Sequence, residues 1–364
     1  MTIPDEQRSI AEPDPIIRED LDSIAADCRQ ELSQLSGKTL LLTGGSGFVG
    51  RYLVEVVLRF NAANAIPPCS LILVTRGPLL LAARYPDAIA AGEVDLVQWG
   101  SEFSLDLRGR RPDYVIHAAA PTDPQAVARD PGRSLRDLVR MASSTADVAK
   151  ASGSRRAILI SSGAVYGDQP AAMREISEDF RGGPDIASLL SVYGEGKRVS
   201  ELLFRAAGID QRTARVFSLI GPYQDLNSSF AVPSIIRQAV DLQSIELSGD
   251  GSPVRNYCYS VDLSTFVFKL LLGRPRHDVY NVGNRDGTAS IGDVAEMISA
   301  IFGGVEIKRR RHHSTPRPAG TRYVPKLERM YELHSPRVAL QEALNRTCRS
   351  LYSRGFISRP PVPS

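Results

Sequence analysis

Three residues of this chain have the types and spacing to do proton chemistry together: Ser162, Tyr193 and Lys197. A free tyrosine, with a pKa of about 10, is a poor base at neutral pH. Tyr193 and Lys197 are four apart, which puts them on one face of a helix. An ammonium one turn away favours the phenolate and draws its pKa towards the working range. Ser162 ends an apolar run, Ala157 to Ser161, and its hydroxyl can bond the same substrate oxygen as the phenol. Such a set would move a proton to or from a hydroxyl group. A tyrosine and lysine at this spacing also arise by chance, so the elements that hold them decide their meaning.

The helix is legible. Val192, Val199, Leu202, Leu203 and Ala206 make an apolar stripe that Gly208 terminates, and Ser191 is a plausible N-cap. Gly194 and Gly196 each cost about 1 kcal/mol in a helix interior. Their presence predicts that something approaches the helix closely there.

A second feature gives the set a purpose. Leu40 to Gly50 reads Leu-Leu-Leu-Thr-Gly-Gly-Ser-Gly-Phe-Val-Gly, and Tyr52, Leu53, Val56, Val57 and Phe60 follow at helical spacing. That is strand, tight turn and helix, the opening of a nucleotide-binding βαβ unit. Gly44 can take the positive φ of a sharp turn. Gly47 has no Cβ to hold off a pyrophosphate, and Gly50 lets the helix lie close to the strand. Ser46, Phe48 and Val49 complete the turn, where helix N–H groups would meet the phosphates.

Further strands read at Ser70–Thr75, 94–97 and 113–117, with a helical stretch at 135–150 before the strand at 157–161. Strands alternating with helices predict a parallel sheet covered on both faces. The residue ending the second strand of such a fold meets the adenosine ribose, where a carboxylate suits NAD and an arginine suits NADP. Here Arg76 stands there with no acid nearby, which predicts NADP(H) over NAD(H). Ala118, Ala119 and Ala120 follow the fourth strand, and small residues there let a cofactor approach the backbone. His117, at the strand end, reads as structural.

Residues 1 to about 19 carry Pro4, Pro13 and Pro15 among charges and predict an extended arm. Leu21, Ile24, Ala25, Cys28, Leu32 and Leu35 then recur at helical spacing, with Gly37 as a cap. This helix is expected to pack on its own chain rather than on a partner subunit.

The balance of 44 basic and 41 acidic residues is too even to argue for nucleic acid. Four scattered cysteines (Cys28, Cys69, Cys258, Cys348) suit a reducing compartment, not a disulfide frame or zinc site. The start has no signal-peptide pattern and no apolar run is long enough to span a membrane, so a soluble cytoplasmic protein is expected. Lys308–His313 reads as a solvated edge rather than a nucleic-acid patch. The His312–His313 pair lacks further ligands for a metal.

From about Asp20 to its end the chain resembles the extended short-chain dehydrogenase/reductases, especially the nucleotide-sugar epimerase and dehydratase branch. Thr43–Gly50 is similar to the family's Thr-Gly-x-x-Gly-x-x-Gly turn, and Asp113–Ala120 to its fourth-strand signature. Ser162, Tyr193 and Lys197 fall on its catalytic triad. The resemblance implies a Rossmann-type doubly wound α/β fold over 37–215 that regains about 256–280. It implies a smaller C-terminal α/β substrate lobe over 216–364, and residues 1–36 lie outside both. It implies a homodimer, and it implies that Lys197 also holds the nicotinamide ribose. Arg215 to Ser218 resembles the return to the substrate lobe, so Phe217 is expected at the cofactor and Ser218 at the substrate. Arg255 and Arg322 are implied as contacts of the substrate diphosphate.

There are departures from the family pattern. Ser101 stands near the place of an adenine-contacting acid, and Ser218 and Asp137 replace asparagines common in relatives. Dehydratases place an acid directly after the triad serine or threonine, to protonate a leaving hydroxyl. Gly163 and Ala164 fill those places here, so loss of water is disfavoured. The expected activity is epimerisation of a nucleotide sugar through a transient ketone. Alternatives are an NADPH-dependent ketoreductase and, from another class, a cofactor-sensing binding protein.

Overall fold

A computed structural model of the chain describes residues 14–63, 67–309 and 322–362. Its strands, in chain order, are β1 (Thr39–Thr43), β2 (Ser70–Thr75), β3 (Val94–Gln98), β4 (Tyr114–His117), β5 (Arg156–Ser162), β6 (Gln211–Val216), β7 (Ser218–Ile220), β8 (Ser244–Leu247), β9 (Val254–Tyr259), β10 (Val279–Val282), β11 (Thr288–Ser290), β12 (Glu306–Arg309) and β13 (Arg322–Tyr323).

Seven of these form one sheet in the order β10-β6-β5-β4-β1-β2-β3. Every pair in it is parallel. Parallel strands covered on both faces must be apolar throughout, and β1, with Leu40 to Thr43 all buried, shows why the sequence reads as a continuous run there. The chain is therefore a Rossmann-type doubly wound α/β protein, as its alternating elements predict. β2 keeps the predicted limits, β4 starts one residue later than predicted, and β5 is one residue longer at each end.

A second sheet, β11-β9-β13 with β7 on the far part of β9, stands beside the first. Between them the helix Ser260–Leu272 is buried at every position but Lys269. A helix apolar on all sides belongs in a core, and this one carries the chain back to β10.

The N-terminal region departs from expectation. Residues 1–13 lie outside those described, and the helix begins at Pro15, not Leu21. Asp14 Oδ1 accepts from the N–H groups of Ile16 at 3.0 Å and Ile17 at 3.2 Å. Pro15 stands in the first turn, where its missing N–H costs nothing. The helix stops at Asp27, and Gly37, at φ +63°, turns the chain into β1 rather than capping it. It packs on its own chain, as expected. Asp20, only 2% exposed, accepts from Tyr52 Oη at 2.9 Å, Tyr259 Oη at 2.7 Å and Arg346 Nη2 at 2.7 Å. A buried carboxylate needs such partners.

Candidate active site

The glycine turn is held by contacts that only glycine allows. Gly44, at φ +78°, follows β1, and a Cβ there would stand 2.8 Å from the Ala119 nitrogen. A Cβ on Gly50 would stand 2.1 Å from the Gly44 carbonyl oxygen. The helix Phe48–Ala63 thus starts directly against the end of β1, with Gly47 exposed at its N-terminus. Phe48 and Val49 pack on the main core. The exposed Gly47, the half-buried Ser46 and the helix N–H groups make a cradle that fits a dinucleotide pyrophosphate.

Ala118 and Ala119 abut Gly44 of the turn, and Ala120 follows them. The Ala119 N–H donates to Thr43 Oγ1 at 3.2 Å, which ties the ends of β1 and β4 together. His117 is buried between Thr43 and Thr145, with their hydroxyls 2.9 and 3.0 Å from its Nδ1. Burial first, and then the Lys197 charge, push its pKa down to about 3. It is a neutral structural residue, as its place at the strand end predicts. Arg76 is exposed just past β2, and its carbonyl accepts from Gln98 Nε2 at 3.3 Å.

Ser162 ends β5, beside β4, and its Oγ accepts from the Ala164 N–H at 3.1 Å. Tyr193 and Lys197 lie on the helix Val192–Ala206. What approaches the two helix glycines is the chain itself. A Cβ on Gly194 would meet the Ala164 carbonyl oxygen at 2.5 Å, and one on Gly196 would meet Leu138 at 2.5 Å. These close contacts seat the helix on the segment after Ser162 and on the helix Pro131–Ser152. Ser191, expected as N-cap, makes no side-chain capping bond.

Lys197 is 2% exposed, donates from Nζ to the Ile160 carbonyl at 2.7 Å, and stands 6.0 Å from the centre of the Tyr193 ring. Burial pushes its pKa down to about 8, against the Glu201 charge, which raises it. Tyr193 moves the other way from the sequence expectation. Burial pushes its pKa up to about 12, and only the Ser162 hydrogen bond opposes this. The ammonium expected to oppose burial is 6.0 Å from the centre of the ring and bonded to the Ile160 carbonyl.

Residues that sequence reasoning missed brace this set. Glu201, one turn beyond Lys197, accepts from Ser161 Oγ at 2.6 Å and takes two bonds from Arg215, at 2.9 and 2.6 Å. Arg215 also donates to Tyr166 Oη at 2.8 Å, and Tyr166 in turn donates to Asn281 at 2.7 Å. The i, i+4 spacing of Lys197 and Glu201 was the available signal. Tyr323 is the other omission: its Oη lies 3.4 Å from Ser162 Oγ, and its ring packs on Phe217 with centroids 4.4 Å apart.

The two arginines expected to share one diphosphate do not share a face. Tyr323 pairs with Arg255, and Arg322 pairs with Val254. Paired residues point the same way and successive ones point apart, so Arg255 lies on the Tyr323 side and Arg322 on the other. Arg255 stands 5.9 Å over the Tyr323 ring, whereas Arg322 Nε donates to the Arg174 carbonyl at 3.3 Å. Ser218 is half-buried at the start of β7.

Glu178 and Asp179 line a different cleft, with Arg205, Arg276 and His277. Glu178 accepts from the Asn281 N–H at 2.8 Å, and Asp179 from Arg329 at 2.6 Å. Of the basic run, Lys308 and Arg309 are described, 3.5 Å from Glu306 and 2.6 Å from Glu296. Arg310 to His313 lie outside the described residues. Among those residues no His/Cys/Asp/Glu cluster is placed to hold a metal, and no helix is long and apolar enough to cross a membrane. All four cysteines are free and buried.

The chain as a whole has relatives among known proteins. The model of the NAD dependent epimerase/dehydratase family matches residues 40–283, more than half of the chain, and the protein belongs to that family. UDP-glucuronic acid decarboxylase 6 of Arabidopsis thaliana is 26% identical over 286 residues, covering 75% of this chain and 77% of its own. UDP-N-acetylglucosamine 4-epimerase of Methanobrevibacter ruminantium superposes with a TM-score of 0.72 at 21% identity, over 87% of this chain and 99% of its own. A dTDP-glucose 4,6-dehydratase of Streptomyces venezuelae, a double mutant solved with NAD, gives 0.71 at 23% identity, over 87% and 98%. These two likenesses show the shared fold. The NADP(H) preference expected from Arg76 gains no support from them.

Proposed function

We propose that this protein epimerises a nucleotide sugar by oxidising a ring carbon and reducing it again, with Ser162, Tyr193 and Lys197 as its catalytic residues. The observation that carries this reading is the convergence of a serine hydroxyl, a phenol and a buried lysine beside the C-terminal ends of the central strands, where the glycine cradle also lies. A nicotinamide dinucleotide bound there supplies the hydride acceptor and donor. Gly44, Ser46, Gly47 and Gly50 would hold its pyrophosphate, with Phe48, Val49 and Ala118 to Ala120 around it, and Lys197 and Phe217 near its nicotinamide end. Tyr193 takes the proton of the sugar hydroxyl as the ketone forms and returns it afterwards. Ser162 bonds the Tyr193 oxygen, and the Lys197 ammonium stabilises the phenolate. Arg255 binds the substrate diphosphate, and Ser218 lines the sugar site.

No group that could protonate a leaving hydroxyl stands at Gly163 or Ala164, which supports epimerisation over loss of water. Glu178 and Asp179 are engaged by Asn281 and Arg329. A second reading is favoured by the likeness to UDP-glucuronic acid decarboxylases. A ketone beside the carbon that bears a carboxylate makes a β-keto acid. Its carbon–carbon bond breaks to release carbon dioxide, the electron pair moves to the ketone oxygen, and a proton then adds at carbon. No acid at Gly163 is needed for that.

Tyr193→Phe tests the shared core of both readings. Turnover should fall by orders of magnitude with cofactor affinity nearly unchanged, and near-normal turnover would remove Tyr193 from the mechanism. Carbon dioxide release from UDP-glucuronic acid would select the decarboxylase. Ligand binding without turnover in the unaltered protein would select a binding protein, and consumption of NADPH by a keto sugar would select a reductase.

A further inference from the structure

Two tyrosines reach Ser162, and only one is explained by the reaction above. Tyr323 arrives from the second sheet, 161 positions away in sequence, with its Oη 3.4 Å from Ser162 Oγ. The contact is built from both sides. Beyond the ring, the Val324 N–H donates to Gln169 at 2.9 Å and the Val324 carbonyl accepts from Ile176 at 2.8 Å. In front of it, a Cβ on Gly163 would lie 2.7 Å from Tyr323 Oη and 2.7 Å from the Phe217 ring. The missing side chain at 163 is what admits the phenol.

The hydrogen count at Ser162 gives this contact a direction. A serine hydroxyl has one hydrogen and two lone pairs. One lone pair takes the Ala164 N–H, so the two phenols share one lone pair and one hydrogen. Tyr193 must give up its proton in the reaction, so it is the partner that needs a donor. Tyr323 then fills the remaining lone pair. Burial holds the Tyr323 hydroxyl well above the usual phenol range, so it stays a donor throughout.

We propose that Tyr323 is a positioning residue, which donates to Ser162 Oγ and thereby commits the serine's own hydrogen to Tyr193. The phenolate is then supported from two sides, by Ser162 and by Lys197. The inference rests on the reading of Tyr193 as the proton-transfer group. The other groups around Tyr193 are few. Lys197 and, beyond it, Glu201 lie on its own helix, and His117 of β4 is neutral beside Lys197. Arg255 of β9 and Tyr166 lie behind Tyr323.

The test is a titration of tyrosine ring carbons by NMR on the full chain with saturating NAD and no sugar, the Tyr193 signal being identified by its loss in Tyr193→Phe. Tyr323→Phe keeps the ring on Phe217 and removes only the hydroxyl. It should raise the Tyr193 midpoint by about one pH unit, and lower neutral-pH turnover about tenfold with KM little changed. Gly163→Ala, which puts a methyl 2.7 Å from the phenol oxygen and so displaces it, should reproduce the shift in a folded protein. An unchanged midpoint in both variants would overturn the proposal, as would an effect confined to KM, which marks a substrate contact. A shifted midpoint in a protein that turns over no nucleotide sugar would uphold the role of Tyr323 and refute the epimerase reading instead.

Discussion

Lys197 is bonded to the Ile160 carbonyl at 2.7 Å, so the lysine side chain is tied to β5 from the neighbouring helix. Burial at this site lowers its pKa from 10.5 to about 8. A lysine whose folded pKa is depressed weakens folding while it must be charged. That penalty is full below about pH 8 and is relieved as pH rises towards 10.5, because the unfolded chain binds the extra proton in that window. Without cofactor, the unaltered protein should therefore gain melting temperature relative to Lys197→Met between those limits. A difference that stays flat or runs the other way would show that the ammonium is not desolvated.

Gly50→Ala should disrupt the cradle. The added methyl would stand 2.1 Å from a backbone oxygen, so the helix must shift away from β1. Loss of about 1–3 kcal/mol of stability is expected, the range for overpacking a tight site, with cofactor affinity reduced at least tenfold. Gly77→Ala is the control, since a Cβ there meets nothing within 4 Å. Melting curves and cofactor titration of the two variants decide it, and equal behaviour would refute the role given to Gly50.

Arg76 stands, exposed, where the adenosine ribose is expected. A hydrogen bond to a charged group contributes about 1.5–3 kcal/mol. Arg76→Ala should weaken NADP(H) roughly tenfold or more and leave NAD(H) nearly unchanged, whichever the unaltered protein prefers. Calorimetric titration with both cofactors checks this, and equal losses would show that Arg76 reads no 2′-phosphate.

Arg255 and Arg322 should differ. Arg255→Ala is expected to raise KM for the nucleotide sugar about tenfold or more, as a guanidinium on a diphosphate predicts. Arg322, on the opposite side of its strand and bonded to the Arg174 carbonyl, should change KM less than threefold when replaced by alanine, about the effect of a weak surface contact. Matching effects would restore a shared clamp.

Local signals in the sequence carried most of the fold. β2, β4 and β5 were readable because parallel strands buried on both faces are unbroken apolar runs, and Gly44 because its turn demands a positive φ. The start of the first helix is hidden because Pro13 and Pro15 suggest an extended arm, although Asp14 followed by proline is a helix start. Tyr323 and the split of Arg255 from Arg322 were not readable, since both depend on the register of β13 against β9, set by contacts far along the chain. The raised pKa of Tyr193 was missed because four-residue spacing to a lysine says nothing of burial.

Because Gly163 and Ala164 offer no acid, the site is expected to oxidise and reduce a nucleotide sugar without expelling water. The most direct test is mass spectrometry of UDP-, CDP-, GDP- and dTDP-sugars carrying a 6-hydroxyl, after incubation with the protein and NAD. Epimerisation predicts a product of unchanged mass whose NMR couplings show one inverted ring carbon. A product lighter by one water, with the 4-keto-6-deoxy pattern, would contradict it, all the more if it persisted when Glu178 and Asp179 were both changed to amides.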